Sequence, residues 1–489
     1  MINRRGFMLE GAAAWAAFLS GRAFAAAPGS FDGTDRRLRV GVLSDIHISV
    51  FDPDAKDEFG ASNAKTFVRA LRWFDEQKVD AVVISGDLTN YAFDEEFMAV
   101  GDAWRLVFPG GKGSDGRKVQ KLFICGNHDW EGWKYGRVGV KKYPDEAELR
   151  RHIFTHNREE FWRKAFDEEF TEYPTIEVNG YMFVGAHWPH HTDRGAAKAI
   201  KDCAAKSGGK PFFFLQHPPV TGSVFGGLEA SARDAGPTLA KHPNAVAISG
   251  HTHFSITDER SIWQGTYTAV NAGCLRRISS PSGRENTGPK RNSSFKAMPY
   301  VKTAYCRQGM LMDVYGDRIV FVRREFVNGE SLGPDWVVPL AGEKPMRYAT
   351  RAAASKPPKF PSGAEVKVSP PAPGKTRGGG SVEQVTIEFP QALRSGKGND
   401  RVFEYRVELK FAVNKYLDGE TIAVRRFMAD GFCKPESRMP ETMKCVMNAT
   451  EIPREANLSF EVKALNCFGV ASEPISSGPV RFKGVVVKW

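Results

Sequence analysis

Five clusters of Asp, Asn and His residues each follow a short apolar run, at the point where a buried strand would end. Asp45 and His47 follow Leu38–Leu43, and Asp87 follows an apolar run that ends at Ser85. The remaining clusters contain Asn127, His217, and the pair His251 and His253. The carboxyl ends of strands in an α/β sheet meet at one rim, where ligands bind. Carboxylate, amide and imidazole groups that converge on that rim predict a metal site.

The elements around these clusters alternate between strand and helix, which predicts an α/β sheet. Apolar residues recur at helical spacing in 61–77, and the segment 93–108 is also predicted to be a helix. Residues 130–175 form an insertion rich in Trp, Lys and Glu, in which 145–170 is predicted to be helical. A turn at Tyr315-Gly316-Asp317, between two apolar runs, predicts a β-hairpin that closes the domain.

Length and charge limit the possible classes of protein. The chain has 489 residues, more than one ordinary core accommodates, so two domains are expected. The net charge is +11, and the Lys and Arg residues are spread along the sequence rather than gathered in one basic run. This positive balance supports an anionic substrate. Nucleic acid is not expected as a partner, because no basic stretch with interleaved aromatic residues occurs.

The N-terminus resembles a bacterial export signal of the twin-arginine type. Arg4 and Arg5 precede an apolar stretch, Gly11–Leu19, and a small-residue cleavage site at Ala23–Ala25. The apolar stretch is too short to span a bilayer as a stable helix, although an uncleaved anchor is the alternative. We therefore expect residues 1–25 to be a signal peptide. The mature chain, which has no transmembrane segment in its sequence, would be periplasmic or secreted.

The seven cysteines do not form a dense disulfide framework, and none shows the C-x-x-C spacing of a structural zinc site. Cys433 and Cys445 are close in sequence and could pair in an oxidising compartment. The alternative is that the cysteines are small buried residues, which is what we expect for Cys125 and Cys274.

The C-terminal part has a different pattern. Residues 342–363 are rich in Ala, Pro, Lys and Ser, which predicts a linker between two separable cores. Period-two alternation beyond it predicts a β-sandwich over 364–489. The stretch Phe460–Gly469 resembles the late strands of a fibronectin type III domain. Because no metal-ligating or acid–base cluster occurs there, we expect a packing or spacer module, while glycan or cell-wall binding has no support in the residues.

The five clusters, in this order, resemble the motifs of the calcineurin-like metallophosphoesterase family. These motifs are Asp-x-His, Gly-Asp, Gly-Asn-His-Asp, a lone His and Gly-His-x-His, and the resemblance covers roughly residues 38–340. It implies an α/β fold of four layers, a β-sandwich flanked by helices, over residues 38–341. The C-terminal all-β sandwich, of immunoglobulin or fibronectin type, would follow as a second domain.

The resemblance also implies two divalent metal ions, Zn, Mn or Fe, whose identity is left open. The first metal would be held by Asp45, His47, Asp87 and His253. The second would be held by Asp87, Asn127, His217 and His251, so that Asp87 bridges both. His128 matches no ligand position and would face the leaving-group oxygen, with Asp129 orienting its imidazole. A purple acid phosphatase is not expected, because the position of its tyrosinate ligand is occupied here by Asn90.

The function implied is that of an exported dinuclear-metal phosphoesterase, which hydrolyses phosphate mono- or diesters by attack of a metal-bound hydroxide. Its partner would be a phosphorylated small molecule or an envelope substrate. The sequence leaves two alternatives open, a metal-dependent nuclease or nucleotidase and a surface-binding protein with a vestigial esterase domain. It also leaves open whether Arg276 and Arg277 contact a phosphate oxygen or form a surface pair.

Overall fold

The strands of the N-terminal α/β part are short and mostly buried. They are β1 (Leu38–Leu43), β2 (Ala81–Ile84), β3 (Gln120–Phe123), β4 (Thr175–Val178), β5 (Tyr181–Gly185), β6 (Phe212–Leu215), β7 (Ala245–Ser249), β8 (Ile262–Gln264), β9 (Thr268–Asn271), β10 (Ile278–Pro281), β11 (Tyr300–Thr303), β12 (Gln308–Val314), β13 (Arg318–Glu325), β14 (Glu330–Ser331) and β15 (Trp336–Pro339). This computed structural model describes residues 35–50, 59–192, 194–225, 235–281, 300–303, 306–376, 379–396, 400–412, 419–453 and 456–482. The proposed signal peptide of residues 1–25 lies outside them.

Two sheets form the centre of the α/β part. The first has the spatial order β14-β13-β12-β1-β2-β3, with β15 beside β13, and the second has the order β4-β5-β6-β7-β9-β8. β1, β2 and β3 are parallel to one another, as are β5, β6, β7 and β9. Parallel strands buried on both faces are near-continuous apolar runs, which is how they read in the sequence. The predicted hairpin is confirmed as the antiparallel pair β12 and β13.

The helices of this part lie between the strands. They are α1 (Phe59–Glu76), α2 (Asp94–Val107), α3 (Asn127–Glu131), α4 (Val138–Lys142), α5 (Glu146–His152), α6 (Arg158–Phe166), α7 (Arg194–Lys206) and α8 (Gly236–Leu239). The helix expected over 145–170 is interrupted between α5 and α6. There the Asn157 side chain donates to the Ile153 carbonyl, and Ile153 forms a bridge with Phe93. A tertiary contact therefore overrides the helical periodicity at this point.

Three apolar layers hold the α/β part together. Val42 and Val83 of the first sheet pack with Phe213 and Ile248 of the second sheet in one buried cluster. A second cluster joins the opposite face of the first sheet to α1, α2 and α6, and a third joins the second sheet to α7. The order of layers is helix, sheet, sheet, helix. This confirms the predicted four-layer α/β fold.

The C-terminal part is all-β apart from short helical turns. Its strands are β16 (Lys367–Val368), β17 (Ala372–Lys375), β18 (Ser381–Pro390), β19 (Val402–Phe411), β20 (Thr421–Met428), β21 (Thr442–Asn448), β22 (Leu458–Asn466) and β23 (Ile475–Ser476). β16, β17 and β21 all pair with β18, while the second sheet has the order β20-β19-β22-β23. Both sheets contribute to one apolar cluster that includes Ile387, Tyr405 and Phe460. The predicted antiparallel region is confirmed, and its closer likeness to fibronectin type III stays a prediction.

Part of the segment predicted as a linker is a packed helix, α9 (Tyr348–Ala354). Arg351 of this helix donates to the Glu259 carboxylate at 2.9 Å and to the Ile262 carbonyl at 2.7 Å. The Glu259 carboxylate also accepts hydrogen bonds from the Arg323 guanidinium and the Trp336 indole, at 3.0 Å each. The acidic side chain therefore gathers three donors from the α/β part and α9. The described residues from 35 onwards belong to one compact unit, and the domain limits given above stay a prediction.

Within the ranges that the structure describes, no helix is both long enough and apolar enough to cross a membrane.

Candidate metal centre

The candidate ligands lie in the loops that follow parallel strands of both sheets. Asp45 and His47 follow β1, Asp87 follows β2, and Asn127 begins α3 just after β3. His217 follows β6 in the second sheet, and His251 and His253 follow β7. Since the two sheets pack face to face, the carboxyl ends of these five strands share one rim. We refer to this edge, with its seven candidate ligands, as the site rim.

The backbone at the site rim is held in an uncommon conformation. Five of the seven candidate ligands have positive φ angles: Asp45 (53°), His47 (49°), Asp87 (52°), His251 (69°) and His253 (55°). Non-glycine residues rarely occupy this left-handed region, and those that do cluster at functional sites where the surrounding structure imposes the strain. The surrounding structure therefore stabilises an unfavourable backbone conformation that directs these side chains into the site.

Two glycines of the motifs leave room for the ligands beside them. Gly86 has a φ of 104°, and a Cβ atom there would lie 2.4 Å from Nδ1 of His217. A Cβ atom on Gly250 would lie 1.8 Å from the Ser44 hydroxyl and 2.4 Å from the Asp45 carboxylate. Any larger residue would displace a candidate ligand, so close approach explains why glycine precedes Asp87 and His251.

The four residues expected to hold the first metal are brought together. One ligand atom from each of Asp45, His47, Asp87 and His253 can be chosen so that all lie within 4.8 Å of one another. Nε2 of His253 is 3.1 Å from Asp45 Oδ1, and Nε2 of His47 is 3.4 Å from Asp87 Oδ2. The Nε2 atoms of His47 and His253 are 3.1 Å apart. A cation between these nitrogens would be bound by both lone pairs.

The second set shares Asp87 with the first and continues along the rim. Nε2 of His217 lies 3.1 Å from Oδ2 of Asp87. Nδ1 of His251 lies 3.0 Å from Oδ1 of Asn127, and the rings of His217 and His251 are 5.0 Å apart, centroid to centroid. The structure thus brings together all seven residues that the sequence singles out as ligands. Their assignment as ligands is a proposal developed below.

Backbone and amide groups fix the ring orientation of two of the histidines. Nδ1 of His217 donates to the carbonyl of Ser85 at 2.8 Å, which leaves Nε2 as the nitrogen with the lone pair. Nδ1 of His47 is 3.2 Å from the Asn90 side-chain oxygen, which orients that ring in the same way. A hydrogen bond to the remote nitrogen is the usual device that orients a metal-binding imidazole.

The carboxylates and imidazoles of the rim shift one another's proton affinities. Burial alone would raise the pKa of Asp87, but the nearby imidazoles, His217 first, hold it far below its usual range. Burial opposes the charged form of His217, yet the Asp87 carboxylate raises the pKa of His217 to about 9. Burial also opposes the charge on His253, whereas Cys274 and Asp45 raise the pKa of His253 to about 10. The ionised carboxylates therefore attract positive charge to this rim.

Residues of this kind fit divalent cations. The donors are hard carboxylate and amide oxygens and borderline imidazole nitrogens, a set that suits zinc, manganese or iron. The Nε2 atom of His217 is buried and lies 3.1 Å from Oδ2 of Asp87, a contact that suits the protonated ring. In the neutral ring, whose Nδ1 donates to Ser85, the Nε2 lone pair faces that carboxylate oxygen. A cation shared with Asp87 would satisfy it.

Metal loading is expected to release protons, because a cation and a proton compete for the same imidazole lone pair. Near neutral pH, His217 and His253, with pKa values of about 9 and about 10, would carry protons before loading. Calorimetry at about pH 7.5, in buffers of different ionisation enthalpy, should show up to about two protons released per chain. Raising the pH through 9 and 10 should reduce the release and tighten binding. Heats that do not depend on the buffer would contradict this prediction.

His128 lies beside the rim but is held differently from the ligands. Its backbone N–H donates to Oδ1 of Asp87 at 2.9 Å, and its ring lies 4.5 Å from that of His47, centroid to centroid. Nδ1 of His128 donates to the backbone carbonyl of Asn90 at 2.8 Å. Nε2 is therefore the ring nitrogen left for chemistry. Burial, partly opposed by Asp87, lowers the pKa of His128.

The expectation that Asp129 orients the His128 imidazole is wrong. The Asp129 carboxylate accepts hydrogen bonds from the backbone N–H groups of Gly126, Leu88 and Thr89 and from the Thr89 hydroxyl, at 2.7–3.1 Å. Asp129 is the third residue of the short helix α3, a position from which a carboxylate can accept a hydrogen bond from the backbone N–H of the N-cap residue, here Gly126. Asp129 therefore fastens the loop after β2 to the loop after β3. Burial and then the charge of Asp87 raise its pKa to about 7.

Asp129→Asn is consequently expected to destabilise the fold rather than to weaken proton transfer. The amide nitrogen of Asn cannot accept the bonds that one carboxylate oxygen receives from the N–H groups of Gly126 and Leu88. Each buried donor left unsatisfied costs about 1–3 kcal/mol, so the free energy of unfolding should fall by about 2–5 kcal/mol. Denaturant titration monitored by circular dichroism measures this change.

The control for that variant is Asp102→Asn. Asp102 pairs with Arg105 on the surface of α2 and its side chain is 63% exposed, so its loss should change stability by less than about 1 kcal/mol. If Asp129→Asn kept full stability while turnover alone fell about 10- to 100-fold, Asp129 would act on catalysis and not on the fold.

Sequence reasoning missed several residues that support the rim. At Asn90 the sequence shows only that a tyrosinate ligand is absent, yet the Asn90 side chain and carbonyl orient His47 and His128. Arg276, for which the sequence left a phosphate contact and a surface pair open, donates to the Asn90 side-chain oxygen at 2.6 Å and so lies beside the site rim. The Tyr135 hydroxyl accepts from the Asn127 amide at 3.0 Å, which turns the amide oxygen towards His251. These side chains become neighbours only through the fold, and no sequence spacing identifies them.

An α/β sandwich of four layers that gathers carboxylate, amide and imidazole groups at one rim is the architecture of the metallophosphoesterase fold. Residues 38–255 match the sequence profile of the family described as calcineurin-like phosphoesterase. This part of the chain is therefore a calcineurin-like phosphoesterase domain, as the sequence motifs predict. The residues of the first sheet after 255, from β12 to β15, complete that sheet in the structure.

Solved structures give more distant likenesses. A dimetal phosphatase from Danio rerio is 10% identical, with 63% of this chain and 100% of that chain covered at a TM-score of 0.38. A purple acid phosphatase from yellow lupin (Lupinus luteus) is 14% identical, with 65% of this chain and 57% of that chain covered at a TM-score of 0.37. Comparison with curated proteins finds no match. The family assignment rests on the sequence profile and not on these scores.

Proposed function

We propose that the chain is an exported phosphoesterase that hydrolyses phosphate mono- or diesters with two divalent metal ions. The observation that carries this proposal is the convergence of Asp45, His47, Asp87 and His253 within 4.8 Å at the rim of a phosphoesterase domain. The adjoining His217, His251 and Asn127 supply the further donors that a second ion needs.

The two cations, when bound, would activate a water molecule as nucleophile and neutralise charge on the phosphate oxygens. Asp87 belongs to both ligand sets, and its negative charge offsets the repulsion between two cations. The loop after β3 holds Asn127 and His128 next to each other, so that one binds metal while the other faces the departing oxygen. Nδ1 of His128 is engaged by the Asn90 carbonyl. Only Nε2 can therefore donate a proton or a hydrogen bond to the leaving group.

Location and substrate class form the rest of the proposal. The pair Arg4 and Arg5 ahead of Gly11–Leu19 supports export through a twin-arginine route, to the periplasm or beyond the cell. The net charge of +11 and the position of Arg276 support an anionic phosphorylated small molecule or an envelope component as substrate. Nuclease action has no comparable support, because the positive charges are dispersed along the chain.

The proposal is tested on purified protein loaded separately with zinc, manganese and iron. Aryl and alkyl phosphate monoesters and diesters, nucleotides and single-stranded DNA form the substrate panel, and Asp87→Asn supplies the background rate. We expect one metal to support turnover of a small ester well above that background. Preferential DNA cleavage would favour a nuclease. Two bound metals with no turnover on any substrate would favour a binding protein. Mass spectrometry of exported protein should find the N-terminus near residue 26.

Arg276 is expected to bind the phosphate group. Its guanidinium donates to Asn90 and lies 3.4 Å from Nδ1 of His47, which places a fixed cation beside the metal ligands. A hydrogen bond to a charged group contributes about 1.5–3 kcal/mol. Arg276→Ala should therefore lower kcat/KM about 10- to 100-fold, mainly through a higher KM. Initial rates over a range of ester concentrations measure the two constants separately.

Arg276→Lys is the matched variant for that prediction, since it keeps the charge but loses the planar two-pronged geometry. It should recover part of the loss in kcat/KM. Both variants should keep the metal content of the parent protein. A lower metal content in Arg276→Ala would instead assign this residue to the support of His47 through Asn90.

A further inference from the structure

Two cysteines that are distant in sequence meet where the C-terminal sandwich packs on the phosphoesterase domain. Cys306 precedes β12 in the first sheet of the α/β part, and Cys433 lies in the loop between β20 and β21. Their side chains are 0% and 2% exposed, and they share a small cluster with Cys274 and Ile278. The neighbouring Cys306 thiol, together with burial, holds the pKa of Cys433 well above its usual range.

Hydrogen bonds hold both cysteine segments against each other. The Gln308 side chain, two residues after Cys306, donates to the carbonyl of Cys433 at 2.9 Å. The preceding carbonyl, that of Phe432, accepts from the Thr257 hydroxyl at 2.8 Å and from Arg401 at 3.0 Å. These hydrogen bonds thus hold the backbone at Cys433 against the segment that carries Cys306. The proximity of the two cysteines does not depend on a freely moving loop tip.

The third sulfur in the cluster is engaged elsewhere. Sγ of Cys274 donates to the Asp45 carbonyl at 3.4 Å and accepts from the backbone N–H groups of Arg276 and Arg277 at 3.3 and 3.4 Å. It therefore faces the backbone next to the site rim. Cys445 belongs to the apolar core of the sandwich, a different cluster from that of Cys433. Cys306 is therefore the cysteine that remains beside Cys433 in this cluster.

We propose that Cys306 and Cys433 form a disulfide bond that fastens the C-terminal sandwich to the phosphoesterase domain. All seven cysteines lie in the described residues, where none of them forms a disulfide bond. The required oxidant is a small or protein disulfide, as found in oxidising compartments. Each cysteine gives up its proton, the sulfurs bond to each other, and the two electrons reduce the oxidant's disulfide to two thiols.

A bond at this place would have a large effect on the unfolded chain. It would join residues more than about 120 positions apart, and in the chain-entropy model the stabilisation by a disulfide rises with the length of the loop it closes. It would also keep the sandwich packed next to Cys274, whose sulfur contacts the backbone carbonyl of Asp45. Oxidation would take place in an oxidising compartment before the two thiols are fully buried, and the disulfide itself does not depend on the proposed phosphoesterase activity.

Thiol mapping on the full-length chain tests the proposal. Protein is refolded from denaturant in a glutathione redox buffer, quenched in acid, denatured and alkylated, because the thiols are too buried to react readily in the folded state. We expect two of the seven cysteines to escape alkylation, and one peptide pair to be linked through Cys306 and Cys433. Seven alkylated cysteines would overturn the proposal, as would a linkage through Cys274 or Cys445.

Thermal unfolding gives a second readout that uses matched variants. The oxidised parent should melt several degrees above the same protein refolded in the presence of a phosphine reductant, which spares the metal ions. This difference in melting temperature should vanish in Cys433→Ser and in Cys306→Ala. The alanine variant is included because it places no hydroxyl in the buried cluster. The difference should persist in Cys445→Ser, whose cysteine is equally buried but belongs to the sandwich core. A difference that survives in Cys306→Ala would show that another pair is responsible.

Discussion

Replacing Asp87 with alanine is expected to abolish phosphoester hydrolysis and to lower the metal content to one ion per chain or none. One oxygen of its carboxylate lies 3.4 Å from Nε2 of His47 and 3.1 Å from Nε2 of His217, histidines that belong to different ligand sets. Without this carboxylate, two cations would face each other across neutral imidazoles. Elemental analysis of dialysed protein and turnover of an aryl phosphate measure the two effects.

Asp87→Asn separates the loss of metal from a loss of fold. The other oxygen of Asp87 accepts the backbone N–H of His128 at 2.9 Å, and an amide oxygen can keep this hydrogen bond. The variant should therefore fold like the parent, with the same far-ultraviolet circular dichroism, while its affinity for the second ion and its turnover collapse. A variant that retained two tightly bound ions and near-normal turnover would rule out a bridging role.

Much of this site could be predicted from the sequence because the ligands follow the carboxyl ends of buried parallel strands. A buried parallel strand is an apolar run, and the polar residue that ends the run marks the rim. Asp45, Asp87 and His217 could each be located in this way. Their order along the chain then identified the family, which supplied the pairing of residues across two sheets that periodicity cannot give.

What could not be predicted depends on directions of side chains and on contacts between distant loops. The family resemblance implied that Asp129, the residue after His128, orients the His128 imidazole. On the short helix α3, however, adjacent residues point in different directions, and the Asp129 carboxylate turns back to Gly126. The roles of Asn90 and Tyr135 likewise depend on loops that meet only in the folded chain.

In the C-terminal part too, the sequence predicted the strands but not the contacts between distant segments. Alternating residues predicted its strands, since one face of each is buried, as in β22. The proline-rich composition of 342–363 suggested a plain linker, but α9 and the bonds of Arg351 to Glu259 are tertiary features that composition does not encode. The sequence left open whether Cys433 and Cys445 pair, while the fold places Cys306 in the same cluster as Cys433.

His128→Asn is expected to lower turnover of an alkyl phosphate ester by about 100- to 10,000-fold, the range of general acid catalysis. The loss on an activated nitrophenyl ester should be much smaller, because nitrophenolate departs without a proton. Metal content should be unchanged, since His128 donates through Nδ1 to the Asn90 carbonyl and is not one of the seven candidate ligands. Kinetics on both esters, with metal analysis of the same samples, test these three statements together.

The pH profile adds a readout that a structural role would not produce. Because the Nδ1 proton is committed to Asn90, Nε2 can donate only when the ring carries a second proton, and burial lowers the pKa at which this occurs. Alkyl-ester turnover should therefore fall as the pH rises through that lowered pKa, and this dependence should disappear in His128→Asn. His242→Asn is the matched control, since it removes an imidazole that lies beside Phe212 at the start of β6, at the opposite end of the strands from the site rim; it should keep the pH profile of the parent. Equal losses on both esters, or loss of metal, would instead make His128 a structural residue or a ligand.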